Sequence, residues 1–197
     1  MPDKSTIEAY DKNVEDYFKI FDAWGPDKDL KAFMEKVSPG GFILDLGCGP
    51  ANASAQMKAQ GFSVDPMDAS SEMIRKANEV HDIGARLGTF DDIHEIDTYD
   101  GVWANFSLLH APRAKFPKYL KRIHSALKDE GIFHIGMKLG TGEGPDHLGR
   151  YYIYYEEAEL TDLIANSGFS KLSTRTGKGK GLAGTVDPWI IMLWQKN

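Results

Sequence analysis

From residue 42 to residue 137, short apolar runs alternate with helix-forming stretches of ten to fifteen residues, and no other feature restricts the fold so tightly. Phe42-Ile43-Leu44-Asp45-Leu46 is the first run, apolar enough for a buried strand, and it enters a glycine turn. Polar helix-forming residues follow from Asn52 to Gln60 and stop at Gly61. Phe62 to Met67 reads as a second strand, after which Ser70 or Ser71 caps a helix running to about Val80. Ala85 to Thr89 is a weaker third strand. Tyr99 to Phe106 is a stronger fourth, followed by a helix from about Pro112 to Leu127. Gly131 to Met137 is a fifth, after an Asp129-Glu130-Gly131 turn. Strands separated by helices of this length join a parallel sheet through right-handed crossovers, which cover both faces.

The two ends follow other rules. Ser5-Thr6-Ile7-Glu8 fits a capping box, and the helix it opens carries Ile7, Tyr10, Val14, Tyr17, Phe18 and Phe21. Gly25-Pro26 interrupts, and a second short helix covers Lys28 to Val37, closed by Ser38-Pro39-Gly40-Gly41. After the fifth strand, the stretch from Lys138 to Tyr155 shows no clear structure, which is long for a connector. Glu156 to Asn166 is a helix, and Phe169 to Arg175 a sixth strand. The glycine-rich stretch Gly177 to Gly184 joins it to an apolar run, Trp189 to Trp194. That connection is too short for a crossover helix, so the last two strands form an antiparallel hairpin. The expected fold class is α/β: a doubly wound seven-stranded sheet, mostly parallel, with an antiparallel C-terminal hairpin and helices on both faces.

Composition removes several function classes. The single cysteine, Cys48, excludes a disulfide framework and points to a reducing compartment, so a cytoplasmic location is expected. No run of about 18 apolar residues exists, and the polar start lacks the apolar stretch of a signal peptide, so no membrane is expected as a partner. The net charge of -6, from 23 basic and 29 acidic residues, argues against nucleic acid as a partner. The six histidines and one cysteine show no zinc-ligand spacing, so no metal is expected. The oligomeric state is open at this level.

The first strand runs into Asp45-Leu46-Gly47-Cys48-Gly49-Pro50-Ala51-Asn52. Two glycines at a strand-to-helix turn let the backbone pass close under a ligand. A dinucleotide loop would place glycine at position 52, where this chain has Asn52. The second strand ends in Asp68, which puts a carboxylate where it can take both ribose hydroxyls of an adenosine; its capping of the next helix is redundant with Ser70 and Ser71. At these residues the sequence resembles the class I S-adenosylmethionine-dependent methyltransferases. Ile43-Leu44-Asp45-Leu46-Gly47-Cys48-Gly49-Pro50 matches their first motif, with Ala51 in place of the third glycine. Asp68-Ala69-Ser70-Ser71-Glu72-Met73 matches the second, and Tyr99 to Asn105 with Ser107-Leu108-Leu109-His110 the fourth. In the third, Gly88-Thr89-Phe90 stands where the family often has an acidic residue. The resemblance covers about residues 40 to 195 and implies a Rossmann-like sheet with the same hairpin ending.

It also implies roles. A single domain over 1–197 would divide into an N-terminal helical cap (1–39), a cofactor-binding core (40–138), a substrate lid (139–155) and a C-terminal helix and hairpin (156–197). S-adenosyl-L-methionine is the implied cofactor. Asp45 accepts hydrogen bonds at the strand end, Gly47, Cys48 and Gly49 line the methionine portion, and Asp68 holds the ribose. Ala69 and Met73 flank adenine, with Thr89 and Phe90 near its edge. Asn105 and Phe106 approach the sulfonium, and Tyr10 and Tyr17 close over the cofactor. His110 stands beside the methyl group as a candidate proton acceptor, whereas His134, inside an apolar strand, reads as structural. Lys138, Arg150, Tyr152 and Tyr154 are candidate acceptor-binding residues, for an anionic or aromatic molecule. Methyl transfer by in-line displacement to a small molecule, at an oxygen, nitrogen or sulfur atom, is the expected function. A methyltransferase with a protein acceptor is the alternative, as is a non-catalytic S-adenosylmethionine sensor; an oxidoreductase ranks third.

Overall fold

The computed structural model describes residues 3–15, 17–18, 27–181 and 184–197. In chain order the strands are β1 (Phe42–Leu46), β2 (Ser63–Asp68), β3 (Arg86–Leu87), β4 (Tyr99–Asn105), β5 (Leu127–Lys138), β6 (Glu143–Pro145), β7 (Tyr151–Ile153), β8 (Phe169–Lys180) and β9 (Val186–Lys196). The helices are α1 (Lys4–Lys12), α2 (Lys28–Met34), α3 (Asn52–Ala59), α4 (Ser71–His81), α5 (Phe116–Ala126) and α6 (Glu157–Ala165). One sheet runs β3-β2-β1-β4-β5-β9-β8, parallel through β5 and antiparallel from β5 to β9 and β9 to β8. This is the expected fold class.

Successive side chains on a strand point to opposite faces, and β4 shows the consequence. Val102 and Ala104 pack with Phe116, Leu120 and Ile123 of α5 and with Leu160 and Ile164 of α6. Trp103, between them, packs on the other face with Leu30 and Phe33 of α2 and Met57 of α3. Both faces are therefore covered, and the apolar runs are explained. None of the described helices is long and apolar enough to cross a membrane.

Four local expectations need correction. The cap of α1 is Asp3, whose carboxylate accepts from Ser5 N–H, so the helix starts before the Ser5 capping box. Helical turns continue at 14–15 and 17–18, while Phe21 and Gly25-Pro26 lie outside the described residues. The Asp129-Glu130-Gly131 signal marks an irregularity inside β5, not its start: Glu130 has φ 62° and the register with β4 shifts between Tyr99 and Gly101. The 139–155 stretch carries an antiparallel ribbon of its own, β6 on β7. Last, Gly177 and Gly179 belong to β8 and do not form the turn. A Cβ on Gly177 would lie 2.3 Å from the indole of its cross-strand partner Trp189, so glycine makes room for the ring.

Candidate active site

β1 and β4 are neighbours, yet the chain leaves β1 for β2 on one side and β4 for β5 on the other. In an open parallel sheet such a divergence leaves a crevice at the carboxyl edge, where ligands bind. The turn after β1 passes so close to the residues after β4 that a Cβ on Gly47 would lie 2.3 Å from Ser107 Cβ. With φ 76° at Gly47 as well, only glycine serves there. Ala51, at the third position of the loop, is fully buried and has φ 60°. A left-handed alanine costs about 1–2 kcal/mol. Its methyl packs in a cluster with Cys48, Ala77, Ile83 and Ala85, so the loop keeps its path without a third glycine.

Asp68, at the end of β2, does more than its spacing revealed. Gly49 N–H donates to its Oδ2 and Ser70 N–H to its Oδ1, each at 2.8 Å. The cap of α4 is Ser70, whose Oγ accepts from Met73 N–H at 3.1 Å. Asp68 is thus not a redundant cap but the brace between the glycine loop and α4. Each carboxylate oxygen keeps a further lone pair for a ligand. Burial raises its pKa, outweighing the backbone bonds that pull it down. Asp45 is 2% exposed, accepts from Ser54 Oγ at 2.6 Å, and is pushed up to about 7 by burial.

Two cavities meet at this edge. The inner one, about 80 Å³, is lined by Tyr10, Tyr17, Gly47, Gly49, Asp68, Ala69, Met73, Thr89, Phe90, Asn105, Phe106 and His110, all candidates named from the sequence. Thr6, Ile7, Ser70 and Ser107 also line it and were not anticipated. The outer one, about 480 Å³, takes Asp45, Cys48, Lys138, Arg150 and Tyr152, with Trp103, Leu109, Asp187 and Trp189 added by the structure. Tyr10, Tyr17, Gly47, Asn105 and Phe106 belong to both. Tyr154 belongs to neither; its ring lies over that of Tyr152 at 6.1 Å and its carbonyl accepts from Arg113. Trp103 and Trp189 could have been found by strand alternation, Trp189 being the register partner of Lys138.

The N-terminal helix reaches this site through specific bonds. Ser70 Oγ donates to Asp11 at 2.5 Å, and Tyr151 N–H donates to Thr6 Oγ1 at 2.8 Å. Tyr10 places its hydroxyl 2.8 Å from His110 Nε2, while His110 Nδ1 lies 2.6 Å from the Tyr151 carbonyl. A carbonyl only accepts, so Nδ1 carries the proton and Nε2 accepts from Tyr10. Burial, the largest influence, depresses the His110 pKa to about 4. The imidazole is neutral and fully engaged, which makes it a weak base.

Behind the shared wall, His134 is fully buried and stacks on Trp103 with ring centroids 3.6 Å apart. Its Nε2 lies 3.1 Å from Asn105 Oδ1, leaving the Asn105 Nδ2 for the cavities, and its Nδ1 has no partner. Phe106 follows with φ 56°, a strained conformation for an aromatic residue that turns the chain at the junction of the cavities. Among the described residues, no group of His, Cys, Asp and Glu could hold a metal ion.

The lining of the inner cavity, more than its volume of about 80 Å³, suits an adenosine bearing a positively charged amino-acid tail. A carboxylate with spare lone pairs stands at the β2 end, bare glycine backbone lines the floor, and the buried Ser107 Oγ lacks a protein partner. Asp45 offers a nearby carboxylate to an ammonium.

The family model described as "Methyltransferase domain" matches residues 43–131. An uncharacterized methyltransferase of Staphylococcus carnosus is 23% identical over 166 residues, covering 75% of this chain and 80% of that protein. A trans-aconitate 2-methyltransferase of Rhodopseudomonas palustris is 28% identical over 177 residues, covering 80% of this chain; the chain spans 65% of that relative's length. Among solved structures, the 1,6-didemethyltoxoflavin-N1-methyltransferase of Burkholderia thailandensis, with bound 1,6-didemethyltoxoflavin and S-adenosylhomocysteine, superposes with a TM-score of 0.79 at 19% identity. That match covers 98% of this chain and 88% of that one and concerns the fold. The motifs from Ile43 to His110, the strand order and the domain matched at residues 43–131 support a class I S-adenosylmethionine-dependent methyltransferase.

Proposed function

We propose that the protein transfers a methyl group from S-adenosyl-L-methionine, its nucleoside in the inner cavity and its amino-acid tail toward Asp45, to a small molecule held in the rest of the outer cleft. One observation carries this reading: the two cavities share Tyr10, Gly47, Asn105 and Phe106 as a common wall. In-line displacement needs donor and acceptor pockets that meet at one point. The cofactor supplies the electrophilic methyl group. Asp68 would hold the ribose hydroxyls, Ala69, Met73, Thr89 and Phe90 the adenine, and Asp45 with the Gly47–Gly49 backbone the amino-acid tail. Asn105 and Phe106 would flank the sulfonium, and Tyr10 and Tyr17 would keep water from it. Holding the reactants in line is worth about 7–11 kcal/mol. Residues 1–39 then act as a cap, 139–155 as an acceptor lid, and the lone cysteine agrees with a reducing, cytoplasmic setting.

A cleft of about 480 Å³ is in the range of small-molecule sites, which favours such an acceptor over a protein. The relative from Rhodopseudomonas palustris is named for a small acid and the Burkholderia thailandensis neighbour for a heterocycle, which supports the same class. The test is a screen of small-molecule acceptors with isotope-labelled cofactor, read by product mass. Label moving onto an acceptor supports the reading. Cofactor binding with no transfer to any small molecule, or protection by NAD equal to that by S-adenosylhomocysteine, would defeat it.

A further inference from the structure

The groups around the outer cleft limit what the acceptor can be. An alcohol, a thiol or an ammonium must lose a proton to become nucleophilic, so each needs a base within reach. Among the described residues of the cleft, the candidate bases are all committed elsewhere. His110 is capped by Tyr10 on Nε2 and by the Tyr151 carbonyl on Nδ1. Asp187 is bonded to Lys138 at 2.6 Å and to Thr185 at 2.9 Å; although burial pulls its pKa up, these bonds hold the carboxyl below its usual range. Asp29 is paired with Arg175, and Asp27 caps α2. Asp45, in the wall of the outer cleft, is 2% exposed and accepts from Ser54 Oγ at 2.6 Å. Burial raises the Tyr10, Tyr17, Tyr152 and Cys48 pKa values, keeping them protonated.

Two cations also line the cleft, each paired with a carboxylate but keeping donors beyond that pair. Arg150 is 3% exposed and turns Nε and Nη2 onto Asp146 Oδ2, at 3.0 and 2.6 Å. Asp146 is not part of the cleft wall, whereas Arg150 is. The remaining Nη1 faces Tyr10, 3.4 Å from its hydroxyl. Lys138 lies 4.4 Å over the Tyr152 ring and keeps two N–H donors beyond its bond to Asp187.

We propose that the acceptor is a small carboxylic acid, bound as its carboxylate against Arg150 with Lys138 beside it, and that a carboxylate oxygen takes the methyl group directly. The inference rests on the methyltransferase reading above. The carboxylate oxygen forms the O–CH3 bond, the methyl–sulfur bond breaks with its electron pair returning to sulfur, and no proton moves. Two charges of opposite sign, sulfonium and carboxylate, are neutralised together. His110 then serves as the positioning residue for Tyr10 and removes no proton.

The test starts with protein saturated with S-adenosylhomocysteine and compares benzoate, phenylacetate and trans-aconitate with their amides in thermal protection and calorimetric titration. At least one acid binds, its amide binds at least tenfold more weakly, and Arg150→Gln weakens the acid by tenfold or more while S-adenosylhomocysteine still binds. Should Arg150→Gln fail to fold, Lys138→Gln leaves the Arg150–Asp146 pair intact and weakens the same acid several-fold. Given S-adenosylmethionine, the acid that binds yields a base-labile methyl ester, and the bound-state rate stays flat from pH 6 to pH 9. Amides binding as well as acids, no acid binding, or transfer confined to amines, thiols or hydroxyls with a rate climbing through this range would overturn the proposal while sparing the methyltransferase reading. Absence of S-adenosylhomocysteine binding by the unmodified protein would overturn that reading and this proposal with it.

Discussion

Replacing Asp68 with alanine removes a brace and a ligand contact at once, and the two losses can be read separately. The carboxylate takes Gly49 N–H and Ser70 N–H at 2.8 Å, and both donors belong to buried residues beside the inner cavity. Hydrogen bonds to a charged group are worth about 1.5–3 kcal/mol each, so the two sum to about 3–6 kcal/mol. The variant also escapes the cost of burying Asp68, evident in its raised pKa, which moves the expectation toward the lower end, about 3 kcal/mol. Against a total stability of about 5–15 kcal/mol, the variant stays folded but is visibly weakened. Asp68→Asn keeps one acceptor and turns an amide toward the other donor, so it loses about half as much. For the ligand, losing bonds to two ribose hydroxyls lowers affinity about a hundredfold or more, at 1.4 kcal/mol per factor of ten. Urea denaturation reads the first loss, and calorimetric titration with S-adenosylhomocysteine, at a temperature where every variant is folded, reads the second. An alanine variant as stable as the parent would refute the brace. Lowered stability with unchanged affinity would show that Asp68 serves the loop alone and that the ribose lies elsewhere.

Two further outcomes follow from the same geometry. The Asp45 pKa is raised to about 7, so the folded state holds a proton that the unfolded state releases near pH 4; its contribution is favourable below that pH and is lost as pH rises through about 7. Asp45→Asn should therefore gain on the parent between pH 4 and pH 8 in paired denaturation curves, and a difference independent of pH would contradict this. His134→Phe keeps the ring on Trp103 but removes the unpartnered Nδ1 and the bond to Asn105. Stability should hold or rise while S-adenosylhomocysteine affinity falls severalfold, and Asn105→Ala should erase the affinity difference; equal affinity in His134→Phe would return His134 to a purely structural role.

The sequence exposed those parts of the molecule whose signal is local. Strand-helix alternation, the Gly47 turn and the Ser70 cap each act within a few residues, and each was legible. Asp68 was legible as a position but not as a brace, because its partner Gly49 lies across a strand pairing. The ribbon of β6 and β7 escaped because three-residue strands carry no periodicity. Glu130 shows a correct local signal with another outcome: a left-handed residue ends some strands but here only bends one, since β5 is held on both sides by β4 and β9. The outer cleft was the least visible, since Trp103, Asp187 and Trp189 come from strands distant in sequence.

The bonds between α1 and the 149–151 segment have a kinetic consequence. Thr6 holds the Tyr151 amide, Ser5 Oγ donates to the Gly149 carbonyl at 2.8 Å, and Tyr10 meets Arg150, so the roof of one cavity is sewn to the wall of the other. Lifting α1 to admit or release a nucleoside breaks those stitches and slackens the side where the second ligand rests. Where α1 lifts for either ligand, entry and exit of both would share one opening event, with one free-energy barrier in place of two. Under such an arrangement residence times of the two ligands rise and fall together, and slow departure of the demethylated nucleoside would throttle turnover whatever the speed of the chemical step.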